Sequence, residues 1–163
     1  MESFKTATGY VPGIIGRMAE LHGRYYAANW NFGSFFEAKV ATGLSDFIAR
    51  YNIDKDCIWS VVSGGRIQGG MAIDGTNESP GVAHLRWFIM SESIRGMGAG
   101  NLLMEQAMEF CRLKGYRTVY LWTFQGLIPA RHLYEKFGFR QVEELSGDQW
   151  GTVVVEQRFE RQF

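Results

Sequence analysis

The sequence predicts a mixed α/β domain with elements in the order β-α-α-β-β-β-α-β-α-β-β, and three observations predict it. Apolar residues recur at helical spacing through 14–28 and 34–51, change to strand-like runs from 57 to 90, and alternate between the two periods thereafter. Glycine and proline fall at the joints, at Pro12-Gly13, Gly64-Gly65, residues 75–81, Lys114-Gly115 and Gly138. Third, Gly96, Gly98 and Gly100 stand between an apolar strand-like run and a helical one. At 163 residues, 46% hydrophobic and 21% charged, the chain fits a single domain (1–163) with a substantial core.

Taken in order, residues 3–10 form a short strand and Pro12-Gly13 breaks it. Ile14, Met18, Leu21, Tyr25 and Ala28 then line one face of a helix, with His22 beside them. Asn29 to Gly33 is an aromatic loop with Trp30 and Phe32. Ser34-Phe35-Phe36-Glu37 fits a capping box opening a second helix to about Tyr51. Residues 57–62 and 66–74 are a hairpin around Gly64-Gly65, and 75–81 are a loop. Along the strand from Val82 to Met90, alternation puts Ala83, Leu85, Trp87 and Ile89 on the core. Val82, His84, Arg86, Phe88 and Met90 share the other, mixed face, a candidate cleft wall. A helix carrying Leu102, Leu103, Gln106, Ala107, Phe110 and Cys111 ends at Lys114-Gly115. Residues 118–123 are a strand, and Pro129 starts a short helix stopped by Gly138. Residues 139–145 and 152–159 are two closing strands.

Composition excludes several functions. Net charge is zero and the pI near 6.8, which gives no electrostatic footprint for nucleic acid or an anionic membrane. Cys57 and Cys111 lie in apolar runs without metal-ligand spacing, so buried thiols are expected and no metal is. Met1 to Thr6 contain no apolar stretch of signal type, and no run approaches membrane-spanning length; a cytoplasmic location is expected.

The chemistry is concentrated at Ile94 to Asn101. Where a helix begins, backbone N–H groups lack intrahelical partners and the helix dipole adds partial positive charge. Glycines let a ligand approach those donors, and Arg95 adds a fixed charge at the rim, which predicts a phosphate-bearing ligand. A dinucleotide fingerprint would need glycine at Asn101 and an acidic residue about twenty positions on; neither is present. No Gly-Lys-Ser or Gly-Lys-Thr follows, so the turn is not a P-loop either.

Arg95-x-x-Gly98-x-Gly100 matches the R/Q-x-x-G-x-G/A turn of the GNAT superfamily of acetyl-CoA-dependent N-acetyltransferases. About thirty residues on, Ala130-Arg131-His132-Leu133-Tyr134-Glu135-Lys136-Phe137-Gly138-Phe139 resembles that family's second motif, A-x-x-L-Y-x-x-x-G-F. The stretch with Gly13, Gly16-Arg17, Leu21-His22 and Tyr25-Tyr26 is also similar to acetyltransferase domains fused behind MarR-type regulators. The resemblance implies a GNAT fold, a mixed sheet of six to seven strands with four helices, and acetyl-CoA as co-substrate. It implies a diphosphate on the amides of Gly96, Met97, Gly98, Ala99, Gly100 and Asn101. It further implies a bulge splaying Phe88-Ile89-Met90 from the 118–123 strand, so that the pantetheine arm pairs with the freed edge. An N–H near Met90 would hold the thioester carbonyl, and Tyr134 would protonate the departing thiolate. Where many members carry an asparagine, seven residues before the tyrosine, this chain has Leu127, so that contact is not implied here.

The acceptor is less legible. His84 is a candidate base, Glu92 a second one, and Arg86 a candidate for an acidic group on the substrate. His22 fits either a half-buried structural histidine or a substrate contact. Tyr25, Tyr26 and Trp30, with Phe32, fit an acceptor pocket or simple helix packing. The expected activity is acetyl transfer to a primary amine of a small molecule, amino-acid derivative or peptide, by direct attack and without a cysteine intermediate. A non-catalytic acyl-CoA-binding sensor is the alternative. The resemblance and the aromatic content also suggest a homodimer.

Overall fold

The computed structural model describes residues 3–76 and 79–163. Met1 and Glu2 of the N-terminal segment, and Asn77 and Glu78 of the predicted 75–81 loop, lie outside the described residues. One seven-stranded sheet in the order β1-β2-β3-β4-β5-β7-β6 organises the chain. Its strands are β1 (Lys5–Thr8), β2 (Cys57–Ser63), β3 (Arg66–Asp74), β4 (Val82–Met90), β5 (Thr118–Phe124), β6 (Arg140–Gly147) and β7 (Val154–Gln162). Helices α1 (Ile14–Trp30) and α2 (Ser34–Ala49) cover one face. Helices α3 (Ala99–Lys114) and α4 (Ile128–Lys136) cover the other. The predicted element order is therefore the observed one, with ends moved by a few residues. No helix of the described residues is long and apolar enough to cross a membrane.

Each face of the sheet buries its own core. Against α3 lie Val61, Met71, Ile73, Ala83, Leu85 and Val119, met by Leu103, Met104 and Ala107 from the helix. Against α1 and α2 lie Ile58, Ala72 and Ile89, met by Ile14, Met18, Leu44 and Phe47. Strands packed on both faces read as continuous apolar runs, which is why β2 shows little alternation.

Neighbouring strands are antiparallel except for β4 and β5, which run parallel and pair only at Val82–Thr118, Ala83–Val119 and His84–Tyr120. Beyond His84 they diverge and leave the rest of β4 without a partner on that side. The cause lies on the opposite edge. Opposite β3, Arg86 pairs with Ala72 and Ile89 with Gly70, so β4 holds one extra residue in that interval. Trp87 takes up the excess at φ 55, a left-handed backbone that costs a bulky residue roughly 1–3 kcal/mol. The bulge also corrects the predicted facing of β4. Ala83 and Leu85 do face α3, but Trp87 and Ile89 are turned to the α1–α2 face, while Phe88 and Met90 join the α3 face.

Two local expectations are also corrected. Gly33, not Ser34, caps α2, and no side chain closes a capping box there. The Glu37 carboxylate instead fills the space over Gly23 on α1, where a side chain on Gly23 would collide with it. Trp30 belongs to the last turn of α1 instead of a loop; the chain leaves the helix through Asn31 in the left-handed region (φ 57).

Candidate functional site

The divergence of β4 from β5 opens a cleft of about 820 Å³, walled by the diverging strands, the N-termini of α3 and α4, and the inner faces of α1 and α2. At one end the glycine turn delivers α3. A short 3₁₀ turn (Glu92–Ile94) is followed by Gly96 at φ 76 and Gly98 at φ 85, both in the left-handed region that glycine reaches without strain. Gly98 caps α3, and its carbonyl accepts the N–H of Leu102. No side chain caps this end. The amides of Ala99, Gly100 and Asn101 therefore stand free at the positive end of a 16-residue helix. Nothing lies within 4 Å of where side chains on Gly96 or Gly98 would begin. A side chain at Gly100 would press on the Phe88 ring at 3.2 Å. Lys136 reaches across from α4 and donates to Asn101 Oδ1 at 2.5 Å, which adds a full charge to the same end. Uncapped amides, open space and a lysine suit a diphosphate.

At the centre, the N–H of Ser91 donates to Gln68 of the neighbouring β3–β4 edge at 2.7 Å. Alternation along an extended strand then turns the N–H and carbonyl of Met90 away from β3 and toward the cleft. Arg95 Nε donates to that carbonyl at 3.2 Å, and its guanidinium lies 4.6 Å above the Tyr25 ring. The arginine thus points inward to the middle of the cleft, where the sequence placed it at the outer rim. Tyr134 enters from α4 at 6% exposure, its ring fixed among Phe88, Phe139 and Phe159 at centroid distances of 6.1–6.3 Å. Burial pushes its phenol well above the ordinary range, so it is held protonated. Tyr26 is raised likewise, chiefly by burial and then by the neighbouring Tyr134 and Tyr25, against the opposing pull of Arg95.

The far end is formed by α1, α2 and the β6–β7 loop. His22 Nδ1–H donates to the Met18 carbonyl at 2.7 Å, which fixes the neutral tautomer, and burial lowers its pKa to about 4. His84 stacks on Tyr120 at 4.3 Å; desolvation and then Arg86 lower its pKa to about 3. Both rings line the cleft as neutral, weakly basic groups. Stability consequently depends on pH. These folded-state values lie below the ordinary 6.5, so the unfolded chain binds the extra protons. Their contribution is complete above pH 6.5 and is lost as pH falls through about 4 for His22 and about 3 for His84. For fully enclosed His22 the loss is roughly 3 kcal/mol, and His84 adds to it. Urea midpoints measured from pH 7 to pH 4 should fall accordingly, and His22→Gln should flatten the profile; a flat wild-type profile would contradict this.

Three predicted site residues lie elsewhere. Glu92 is exposed on the 3₁₀ turn and does not line the cleft. Met97 is half-buried against the α3-side core. Trp30 packs edge-on to Phe124 at 4.9 Å, behind the wall. His22, Tyr25, Tyr26, His84, Arg86, Phe88, Ile89, Met90, Arg95, Gly96, Gly98, Ala99, Gly100, Asn101 and Tyr134 do come together around this cleft. Sequence reasoning missed Lys136, although it stands two residues after Tyr134. It also missed Lys39, whose Nζ donates to the Gln149 carbonyl at 2.5 Å, and the loop tryptophan Trp150 on Phe124. Nothing local marks either of these. Both cysteines are buried, with burial raising Cys57 to about 11 and Cys111 to about 12, which suits neither for a nucleophile.

The sequence model of the acetyltransferase (GNAT) family matches residues 16–139. An uncharacterized N-acetyltransferase of Schizosaccharomyces pombe is 31% identical over 64 residues, a match that spans 39% of this chain and 39% of that relative. Solved structures share the fold at low identity. A GNAT-family acetyltransferase from Staphylococcus aureus superposes with a TM-score of 0.77 at 14% identity, over 98% of this chain and 99% of that one. A ribosomal-protein-alanine N-acetyltransferase from Brucella melitensis gives 0.75 at 12% identity, over 99% of each.

Proposed function

Since the chain belongs to the acetyltransferase (GNAT) family, whose members use acetyl-CoA, we propose that it moves the acetyl group from acetyl-CoA to a primary amine by direct attack in a ternary complex. The carrying observation is the divergence of β4 from β5 past His84, which leaves the Met90 N–H facing the cleft between the free amides of α3 and Tyr134. The thioester supplies an activated acyl carbon and a thiol leaving group. The amides of Ala99 to Asn101, with Lys136, bind the diphosphate. The exposed edge of β4 pairs with the amide-bearing arm as an added strand would. The Met90 N–H donates to the carbonyl oxygen, most strongly when that oxygen gains charge as the amine attacks. Tyr134, held protonated, gives its proton to the departing sulfur and is reprotonated by the proton that the nitrogen loses as the amide forms.

Neither His22 nor His84 is basic enough to take a proton readily from an ammonium ion, so the amine reacts as the neutral species. Arg86 and Arg95 beside it, and the apolar walls, favour that form by disfavouring its charged one. Proximity supplies much of the rate. Two buried free thiols support the cytoplasm as its place of action. A free-thiol assay of acetyl-CoA against a panel of amines and amino acids tests the reading. Slow thiol release, accelerated by particular amines, is expected. Tight acetyl-CoA binding with no turnover across the panel would make the protein a sensor instead.

A further inference from the structure

Resting on the acetyltransferase reading, we propose that the acceptor is a small amine that also carries a carboxylate, and that Arg86 selects it. The side chains lining the cleft include Lys39, Arg86, Arg95 and Lys136 but, among the described residues, no aspartate or glutamate. Two of these cations serve the cofactor side of the cleft. Lys136 stands with the amides of α3, and Arg95 is drawn onto the Met90 carbonyl and the Tyr25 ring. Arg86, paired with Asp74, and Lys39, donating to the Gln149 carbonyl, stand at the acceptor end. A zero net charge gives no hint of this, because the acids that balance the total do not line the cleft.

Arg86 is positioned there, not merely exposed. Nη1 donates to Asp74 at 3.0 Å, the guanidinium carbon sits 4.0 Å above the Trp87 ring, and the absence of a side chain on Gly43 leaves room for Nη2. Asp74 is also bound by Arg50, so one carboxylate is divided between two guanidinium groups and does not saturate either. The Arg86 side chain keeps 32% of its surface open. Its remaining donors form the planar fork that carboxylates match. The strained backbone at Trp87 contributes directly: the bulge sets Arg86 and Trp87 on the same face, which stacks the guanidinium and holds it at the opening. A carboxylate there balances the local positive charge, whereas a second ammonium would be repelled.

The acceptor end suits a small molecule better than a polypeptide. Phe36, Phe124 and Trp150 wall it, and the Lys39–Gln149 bond ties the β6–β7 loop to α2 across it.

The test compares matched acceptors with saturating acetyl-CoA: β-alanine against its amide, phenylalanine against its amide, and putrescine as a dication. Within at least one pair, kcat/KM for the carboxylate should exceed that for the amide at least tenfold, with putrescine poorest. Arg86→Gln should bring the ratio toward one, chiefly by raising KM for the carboxylate. Lys39→Gln, at an exposed position, should narrow it less. Melting temperature and acetyl-CoA affinity of each variant establish that it is folded; if Arg86→Gln does not fold, the wild-type ratios decide alone. Equal or better turnover of amides or putrescine by the wild type would overturn this inference and leave the acetyltransferase reading standing. No turnover with any amine would overturn both.

Discussion

Tyr134→Phe is expected to lower kcat by about 100-fold or more while leaving the Kd for acetyl-CoA nearly unchanged. The size follows from removing a proton donor at the point where charge builds on sulfur. The selectivity follows from the packing. With 6% of its surface exposed and rings of Phe88, Phe139 and Phe159 around it, the side chain is held by its ring, which phenylalanine reproduces. Deleting the hydroxyl from this apolar surrounding should change stability little. Burial holds the phenol above its ordinary range, so the group is a donor throughout neutral pH. The wild-type rate should therefore rise with pH as the acceptor amine deprotonates, without a loss attributable to Tyr134 below about pH 10. Stopped-flow or steady-state thiol release, with calorimetry for cofactor affinity, measures both quantities. Equal turnover by the two proteins would remove Tyr134 from the chemistry and return it to the core.

The parts of the site legible in the sequence are those fixed by backbone conformation and short-range pattern. Gly96 and Gly98 are where left-handed turns are needed, and a glycine-rich helix start announces its free amides without knowledge of the rest of the chain. Tyr134 alone would read as a core residue; the surrounding motif distinguished it. The β4 bulge was anticipated only through the family resemblance. Its effect on side-chain facing was not, because the left-handed residue is Trp87 and carries no local signal, as a glycine would have. Simple alternation then put Trp87 and Ile89 with Ala83 and Leu85, whereas the extra residue reverses the faces halfway along. Glu92 follows β4 closely in sequence, yet the 3₁₀ turn carries it outward. The cationic lining was hidden for a different reason. Lys39, Arg86, Arg95 and Lys136 come from four separate elements, and only the fold shows that no described carboxylate accompanies them into the cleft.

Gly98→Val is the substitution expected to damage cofactor binding most, raising the Kd for acetyl-CoA at least 100-fold, or about 2.7 kcal/mol. Two effects combine. Valine at φ 85 is strained, and its branched side chain projects into space where nothing of the protein lies within 4 Å. That empty space is where the diphosphate is proposed to meet the amides of Ala99 to Asn101, so the methyl groups would displace the ligand without colliding with the fold. Strain and obstruction can be separated by a second glycine. Gly115 ends the same helix at φ 79, again with nothing within 4 Å, but it does not line the cleft. Gly115→Val should therefore lower stability by a similar amount, roughly 1–3 kcal/mol, and leave acetyl-CoA affinity within about twofold of wild type. Loss of affinity in Gly98→Val alone, with both variants folded by circular dichroism, assigns the effect to the open amides. Undiminished affinity in Gly98→Val would place the diphosphate away from α3, since no phosphate could reach those donors past the valine.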